Sequence, residues 1–273
     1  MVLKISPIES HREREEGFLV YPVYSRRSGG LSIGINLFPG KKKCPFNCSY
    51  CAVFPFFNDV VFSVKKMEVD LRAAITSAHE QKIPVKDICF SGSGEPTLSP
   101  AFIDAFKIAN SVREELAPEA DQVIITNGAG LLQPDIFSFL KEAAASPKTD
   151  IWLKLDAGTS GWYQKINRPA LPFDELTAKI KEFTAHSPVT IQTMLCAVNE
   201  EIPPEDEAQA WEALVCEIAQ AGNVRKVQLY GKIRPAPEDP LASQLPAFFL
   251  EQRAGSLRAA FSLTGISAAV EVY

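Results

Sequence analysis

Between residues 31 and 233 apolar runs and amphipathic stretches alternate. Short runs rich in β-branched and aromatic residues fall at 31–38, 87–92, 122–127, 151–157, 189–196 and 226–233, and they read as strands. Most are separated by helical patterns: Leu71, Ile75 and Ala78 share one helical face, as do Phe102, Phe106, Ala109 and Val112. Leu176, Ile180 and Phe183 make a third face, and Trp211, Val215 and Ile218 a fourth, with Gly222 placed to end that helix. Strand and helix in alternation predict an α/β fold of parallel strands joined by right-handed crossovers. There are no tandem repeats, low-complexity tracts or long linkers, and Pro203-Pro204 and Pro235-Ala236-Pro237 read as loop punctuation.

The unusual residues fall where such a fold binds ligands. In parallel α/β architectures the loops at the carboxyl ends of the strands converge on one mouth. Cys44, Cys48 and Cys51 follow the first run, Ser91-Gly92-Ser93-Gly94-Glu95-Pro96 the second, and Thr126-Asn127-Gly128 the third. Lys154 and Asp156 end the fourth, Gln192 and Met194 lie in the fifth, and Lys232 and Arg234 close the sixth. Six such features on one rim describe an active site.

The cysteine triple is the most specific of them. Half of the six cysteines stand within eight residues, spaced by three residues and then two. Thiolates select soft sites, chiefly zinc, copper(I) or iron–sulfur clusters, and three of them leave a coordination position open. A structural zinc site would need a fourth ligand from afar, and the histidines, His11, His79 and His186, stand beside no CxxC pair.

Cys44-x3-Cys48-x2-Cys51, with Tyr50 just before the last cysteine and a glycine-rich turn ending in Glu95 downstream, resembles the signature of the radical S-adenosylmethionine superfamily. The likeness runs over nearly the whole chain. Tyr21-Pro22-Val23-Tyr24-Ser25-Arg26-Arg27 leading into residues 31–37 is similar to the opening of a prokaryotic branch grouped with wyosine (tRNA imidazoguanosine) synthetases. Leu155-Asp156-Ala157, Ile166-Asn167-Arg168-Pro169 and Val227-Gln228-Leu229-Tyr230 fit that branch as well.

The resemblance implies a partial (β/α)6 TIM-like barrel and an enzyme. Cys44, Cys48 and Cys51 would hold three irons of a [4Fe–4S] cluster, leaving the fourth to the methionine end of S-adenosylmethionine. Reductive cleavage of that cofactor, fed by a donor such as a flavodoxin or ferredoxin, would release a 5′-deoxyadenosyl radical that abstracts hydrogen from substrate. The implied cofactor-binding set is Tyr50, Gly92, Ser93, Gly94, Glu95, Asn127, Lys154, Asp156 and Gln192, and no catalytic residue is implied beyond these ligands. Gly92 and Gly94 would let backbone approach a ligand, Glu95 would accept from the methionine ammonium, and Pro96 biases Glu95 toward an extended conformation. Asn127 and Asp156 would meet the ribose and Lys154 the carboxylate.

Plainer readings stand beside these. SGSGEP is also an ordinary strand-to-helix turn, Asn127-Gly128 a common turn pair, and Lys154 with Asp156 a buried ion pair. Phe54, Phe56 and Phe57 either screen a cluster or pack in the core, where core packing is the expected role, and Cys89, Cys196 and Cys216 read as small buried hydrophobes. An RNA base is the substrate on the wyosine reading. A small metabolite, a partner protein activated through a glycyl radical, or a non-catalytic iron–sulfur or zinc module are the alternatives. Wyosine synthetases of that lineage carry further cysteines ahead of the radical motif, and residues 1–43 have none, so a single cluster is expected.

Composition sets the frame. At 273 residues and 46% hydrophobic content the chain can bury a large core, and one domain over residues 1–273 is expected. Residues 1–30 would be a lead-in and 236–273 a C-terminal extension packing on the barrel. The first seven residues lack the apolar stretch of a signal peptide, and no run approaches a membrane span. Scattered single cysteines suggest no disulfide framework, so a cytoplasmic setting is expected. The net charge of -5 divides unevenly, ten Lys or Arg against five Asp or Glu in residues 1–66 giving +5 there and -10 in the rest. Arg26 and Arg27 with Lys41, Lys42 and Lys43 therefore suggest a basic rim near the cysteines that attracts an anion, a solvated mixed-charge surface being the other reading.

Overall fold

All four apolar faces read from the sequence are buried sides of helices. The structure, a computed structural model, describes residues 17–236, 239 and 242–273. The first seven residues, His11, most of the expected lead-in and Pro237 lie outside the described residues. Contacts group the chain into two units, each discontinuous in sequence. One comprises the chain up to Cys44 with Val53–Thr126 and Ser146–Asp150; the other comprises Pro45–Ala52, Asn127–Ala145 and Ile151–Tyr273.

In the first unit a hairpin precedes the parallel strands. Strand β1 (Val20–Ser25) pairs antiparallel with β2 (Gly30–Ile35), in register from Val20 against Ile35 to Ser25 against Gly30. The strand alternation did not predict β1. Pro22 lies inside it, and proline is tolerated because β1 is an edge strand with one hydrogen-bonded neighbour. Parallel pairing then runs from β2 to β3 (Val85–Phe90) and from β3 to β4 (Asp121–Thr126). Helix α1 (Val64–Glu80) begins where Ser63 accepts from the Lys66 amide, and it buries Met67, Leu71, Ile75 and Ala78 at helical spacing. Helix α2 (Phe102–Leu116) sends Phe102 and Phe106 against Phe90 of β3, with ring centroids 5.8 and 5.7 Å apart.

The second unit repeats the parallel theme. Strand β5 (Thr149–Lys154) enters it at Ile151 and pairs parallel with β6 (Pro188–Ala197), which pairs parallel with β7 (Asn223–Gly231). The short β8 (Ser243–Gln244) adds antiparallel to β6, and β9 (Ala269–Val272) adds parallel to β7. Helices α3 (Pro134–Ala144), α4 (Ser160–Ile166), α5 (Phe173–Thr184), α6 (Glu205–Ala221) and α7 (Ala247–Thr264) complete it. Helix α6 has Glu205, Asp206 and Glu207 in its first turn, where the helix dipole favours anions, and it ends at Gly222 as predicted. Helix α7 packs on β7, β9 and α6. Its apolar residues are spread around the axis, with Phe248 and Leu263 exposed, so no single face announced it. Among the described residues no helix is long and apolar enough to cross a membrane.

Candidate active site

The first unit holds the glycine-rich turn after β3. Tyr21 Oη and Ser91 Oγ share a hydrogen bond of 2.8 Å, and Asn36 Oδ1 accepts from the amides of Phe38 and Ser93 at 3.1 Å each. The turn pairs with the segment leading to the cysteines: Lys43 N donates to Ser93 O at 3.1 Å and Glu95 N to Lys43 O at 2.9 Å. A methyl group at Gly94 would stand 2.0 Å from the Lys43 carbonyl oxygen, and one at Gly92, whose φ is +126°, would stand 2.8 Å from Asn36 Oδ1. These glycines were expected to make room for a ligand. The space at both is filled by the protein's own chain, which fixes the turn to Lys43, the residue before Cys44.

Glu95 closes this turn and is 2% exposed. Its Oε1 accepts from Thr97 N at 3.2 Å, Thr97 Oγ1 at 2.6 Å and Thr126 Oγ1 at 2.7 Å, so the carboxylate caps the short 3-10 turn Pro96–Leu98 and ties it to the end of β4.

In the second unit the cysteine loop is docked by backbone. Cys51 N donates to Cys48 O at 3.0 Å, closing a tight turn. Ser49 N donates to Ile166 O at 2.8 Å, Asn47 N to Asn167 O at 3.1 Å, and Ala170 N to Pro45 O at 3.0 Å, so the Ile166-Asn167-Arg168-Pro169 segment serves as the loop's seat. Phe46 adds an edge-on contact with Tyr163, centroids 5.8 Å apart.

Cys48 and Tyr50 then line a small, partly open cleft, with Asn127, Lys154, Asp156, Tyr163 and Asn167 around it. Asp156 is its hub. Its Oδ1 accepts from Met194 N at 2.8 Å and faces Lys154 Nζ at 3.1 Å; its Oδ2 accepts from Asn167 Nδ2 at 2.8 Å and from the Tyr50 hydroxyl. Lys154 lies over the rings of Tyr50 and Tyr230, 4.7 and 4.9 Å from their centroids, and donates to the Tyr230 hydroxyl. Asn167 Nδ2 also lies 3.4 Å from Cys48 Sγ.

The electrostatics follow from that crowding. Burial and then the Asp156 carboxylate push the Cys48 thiol up to about 11 against the opposing pull of Asn167 and Lys154. Burial alone would lower the Lys154 ammonium, but Asp156 and then Tyr230 outweigh it and hold the amine above its usual range. The Tyr50 phenol is pushed well up by burial and then by Asp156. Without added positive charge Cys48 is a thiol, and a metal centre is what would make it a thiolate.

Of the residues singled out in the sequence, Cys48, Tyr50, Asn127, Lys154 and Asp156 share the cleft. Asn127 is buried and its Oδ1 accepts from Ala129 N at 3.0 Å, so it also shapes the turn it was alternatively read as. Lys154 and Asp156 do form an ion pair, in which Asp156 is buried and Lys154 mostly so. Gln192 does not line the cleft; it is fully buried, and its Nε2 donates to Gln228 Oε1 at 2.7 Å. Gly92, Ser93, Gly94 and Glu95 form the turn of the first unit, next in hydrogen bonding to Lys43. Sequence reasoning gave no role to Asn167, Tyr163 or Tyr230. The motif holding Asn167 was visible, but nothing local marks it as a neighbour of Cys48.

Other expectations change. Arg26 and Arg27 occupy the β1–β2 hairpin turn, at the start of β2, whereas residues 41–43 follow its far end, roughly 20 Å of strand away. Lys42 Nζ is engaged with Val53 O at 2.9 Å. The basic rim is therefore not assembled from both groups. Core packing of the phenylalanines fails as well: Phe54 and Phe56 are half-buried and Phe57 is 77% exposed. Cys89 and Cys196 are buried as expected, and Cys216 only half so.

Three cysteine thiols within eight residues suit an iron–sulfur group, whose irons are held by thiolates. Among the described residues no cysteine is in a disulfide, and the buried Tyr163 hydroxyl in the cleft wall has no hydrogen-bond partner among them, a group that a bound centre or ligand would satisfy.

Comparison with known proteins agrees with this chemistry. The family model described as the Radical SAM superfamily matches residues 40–205. A Helicobacter pylori protein named UPF0026 protein is 28% identical over 151 residues, 54% of this chain and 45% of its own. Among solved structures, Streptococcus suis SuiB bound to S-adenosylmethionine superposes with a TM-score of 0.65 at 13% identity, over 85% of this chain and 48% of that one. A radical SAM methyltransferase from Sphaerobacter thermophilus gives 0.62 at 16% identity, over 92% of this chain and 68% of that one. At these identities the likeness shows the fold: α/β, mostly parallel, a partial (β/α)6 TIM-like barrel. The match takes in about half the length of UPF0026 protein and of SuiB.

Proposed function

This chain belongs to the Radical SAM superfamily, and from that premise we propose that it is an enzyme holding one [4Fe–4S] cluster on Cys44, Cys48 and Cys51 and binding S-adenosylmethionine beside it. The observation that carries the reading is the cleft in which Cys48 stands with Asn127, Lys154 and Asp156. When bound, the reduced cluster supplies an electron that cleaves the cofactor's carbon–sulfur bond, and the resulting 5′-deoxyadenosyl radical takes hydrogen from substrate.

The chain's own residues bind and orient. Lys154, kept cationic by Asp156, offers a charge-assisted hydrogen bond to the cofactor carboxylate, and Asn127 offers its amide to the ribose. Glu95, fixed by Thr97 and Thr126, accepts from the methionine ammonium. Tyr50 and Tyr230 sandwich the Lys154 amine and limit water around it. A flavodoxin or ferredoxin supplies the electron, and the setting is cytoplasmic.

Anaerobic reconstitution followed by S-adenosylmethionine and dithionite tests this. Release of 5′-deoxyadenosine from protein carrying about four irons is expected; protein that takes up zinc alone, or iron without any cofactor cleavage, refutes it. A small molecule is favoured over RNA as substrate, because the hairpin arginines are a strand's length from residues 41–43 and no basic rim is assembled from both groups. Hydrogen abstraction from a tRNA base, or from a glycine of a partner protein, is what a screen with labelled cofactor would reveal instead.

A further inference from the structure

Asn167 touches the two groups that matter most in the cleft. Its Nδ2 is 2.8 Å from Asp156 Oδ2 and 3.4 Å from Cys48 Sγ. A carboxylate only accepts, so the nitrogen of the amide must be the atom facing Asp156, and its second hydrogen is then directed at the sulfur. The backbone allows little choice. Asn167 N donates to Tyr163 O at 3.0 Å at the end of α4, and Asn167 O accepts from Asn47 N of the cysteine loop at 3.1 Å. Asp156 is itself held by Met194 N, Tyr50 and Lys154, so the amide is oriented by a residue that cannot turn away.

Resting on the cluster reading above, we infer that Asn167 is a positioning residue that tunes the cluster: it donates an N–H···S hydrogen bond to Cys48 and thereby eases reduction. Reduction adds negative charge that spreads onto the ligand sulfurs. A donor aimed at one of them stabilises the reduced form more than the oxidised form and raises the potential. Asp156 works in the opposite sense through its charge, and Lys154 offsets it. Asn167 is thus the link through which the Lys154–Asp156 pair, itself assigned to the cofactor, is coupled to the metal ligand.

Asn167→Leu removes both donors at nearly constant shape, and Asn167→Ala removes them while leaving space; neither alters the backbone bonds that seat the loop. Reconstituted parent and variants are compared by iron content and by redox titration followed by electron paramagnetic resonance. At the poise where the parent is half reduced, the ratio of reduced to oxidised cluster is expected to fall roughly tenfold in the variants, at parental iron content. An unchanged midpoint in whichever variant loads fully overturns the inference, as does failure of both to assemble a cluster, which would make Asn167 a structural clamp. A parent that takes up no iron sinks the cluster reading itself, an outcome distinct from either.

Discussion

Two carboxylates, one in each unit, are buried at strand ends, and they are held differently. Glu95 is 2% exposed and its Oε1 serves its own neighbourhood: the amide and hydroxyl of Thr97, two residues on, and Thr126 from the adjacent strand. Asp156 is 6% exposed and draws together four places far apart in sequence, namely Tyr50, Lys154, Asn167 and Met194. The first is a cap and the second a hub. Loss of a cap frays one turn, whereas loss of a hub strands a cation and unties the cysteine loop.

The largest effect should therefore come from Asp156→Ala. It leaves Lys154 buried without its anion, and a loss of about 3–5 kcal/mol is expected in thermal or denaturant unfolding. Combining Lys154→Met with Asp156→Leu should restore only the part owed to the stranded cation, since Met194 N, Asn167 and Tyr50 still lose their acceptor. Gly94→Ala comes next, because the methyl meets the Lys43 carbonyl; about 1–3 kcal/mol is expected. Glu95→Ala should cost about 1–2 kcal/mol as a lost cap and weaken S-adenosylmethionine binding in calorimetry while sparing cluster content. If Glu95→Ala destabilised as much as Asp156→Ala, the distinction between cap and hub would be gone.

The smallest effect concerns protons only. With its thiol held up to about 11 by burial and Asp156, Cys48 in metal-free protein is almost wholly protonated near neutrality. Thiolate is the reactive form, so its alkylation rate should climb roughly tenfold per pH unit from pH 8 until about pH 11. Mass spectrometry of the labelled peptide measures this, and a rate that levels off near pH 9 would show that burial and Asp156 together do not hold the thiol up.

The strands β2 to β7 and four helices were legible because each announces itself locally, through β-branched runs or residues spaced by three and four. Strand β1 was not, since Pro22 argues against a strand until an edge position is known. Helix α7 was not, since its apolar residues mark no single face. The site divides in the same way. Cys48, Tyr50, Asn127, Lys154 and Asp156, singled out from motif and strand-end position, line one cleft, and Gln192 lies outside it: side-chain alternation along a strand does not say which buried polar residue pairs with a neighbour such as Gln228. The basic rim failed because a hairpin turns Arg26 and Arg27 back to the start of β2.

Residue type and spacing were enough to give the alternating architecture and the superfamily, because those depend on short-range periodicity and on a closely spaced motif. What Asp156 and Asn167 do was settled by folding. Their partners lie up to 119 residues away along the chain. Hydrogen-bond partners at that separation are chosen by how elements pack, and no local pattern in the chain encodes the choice.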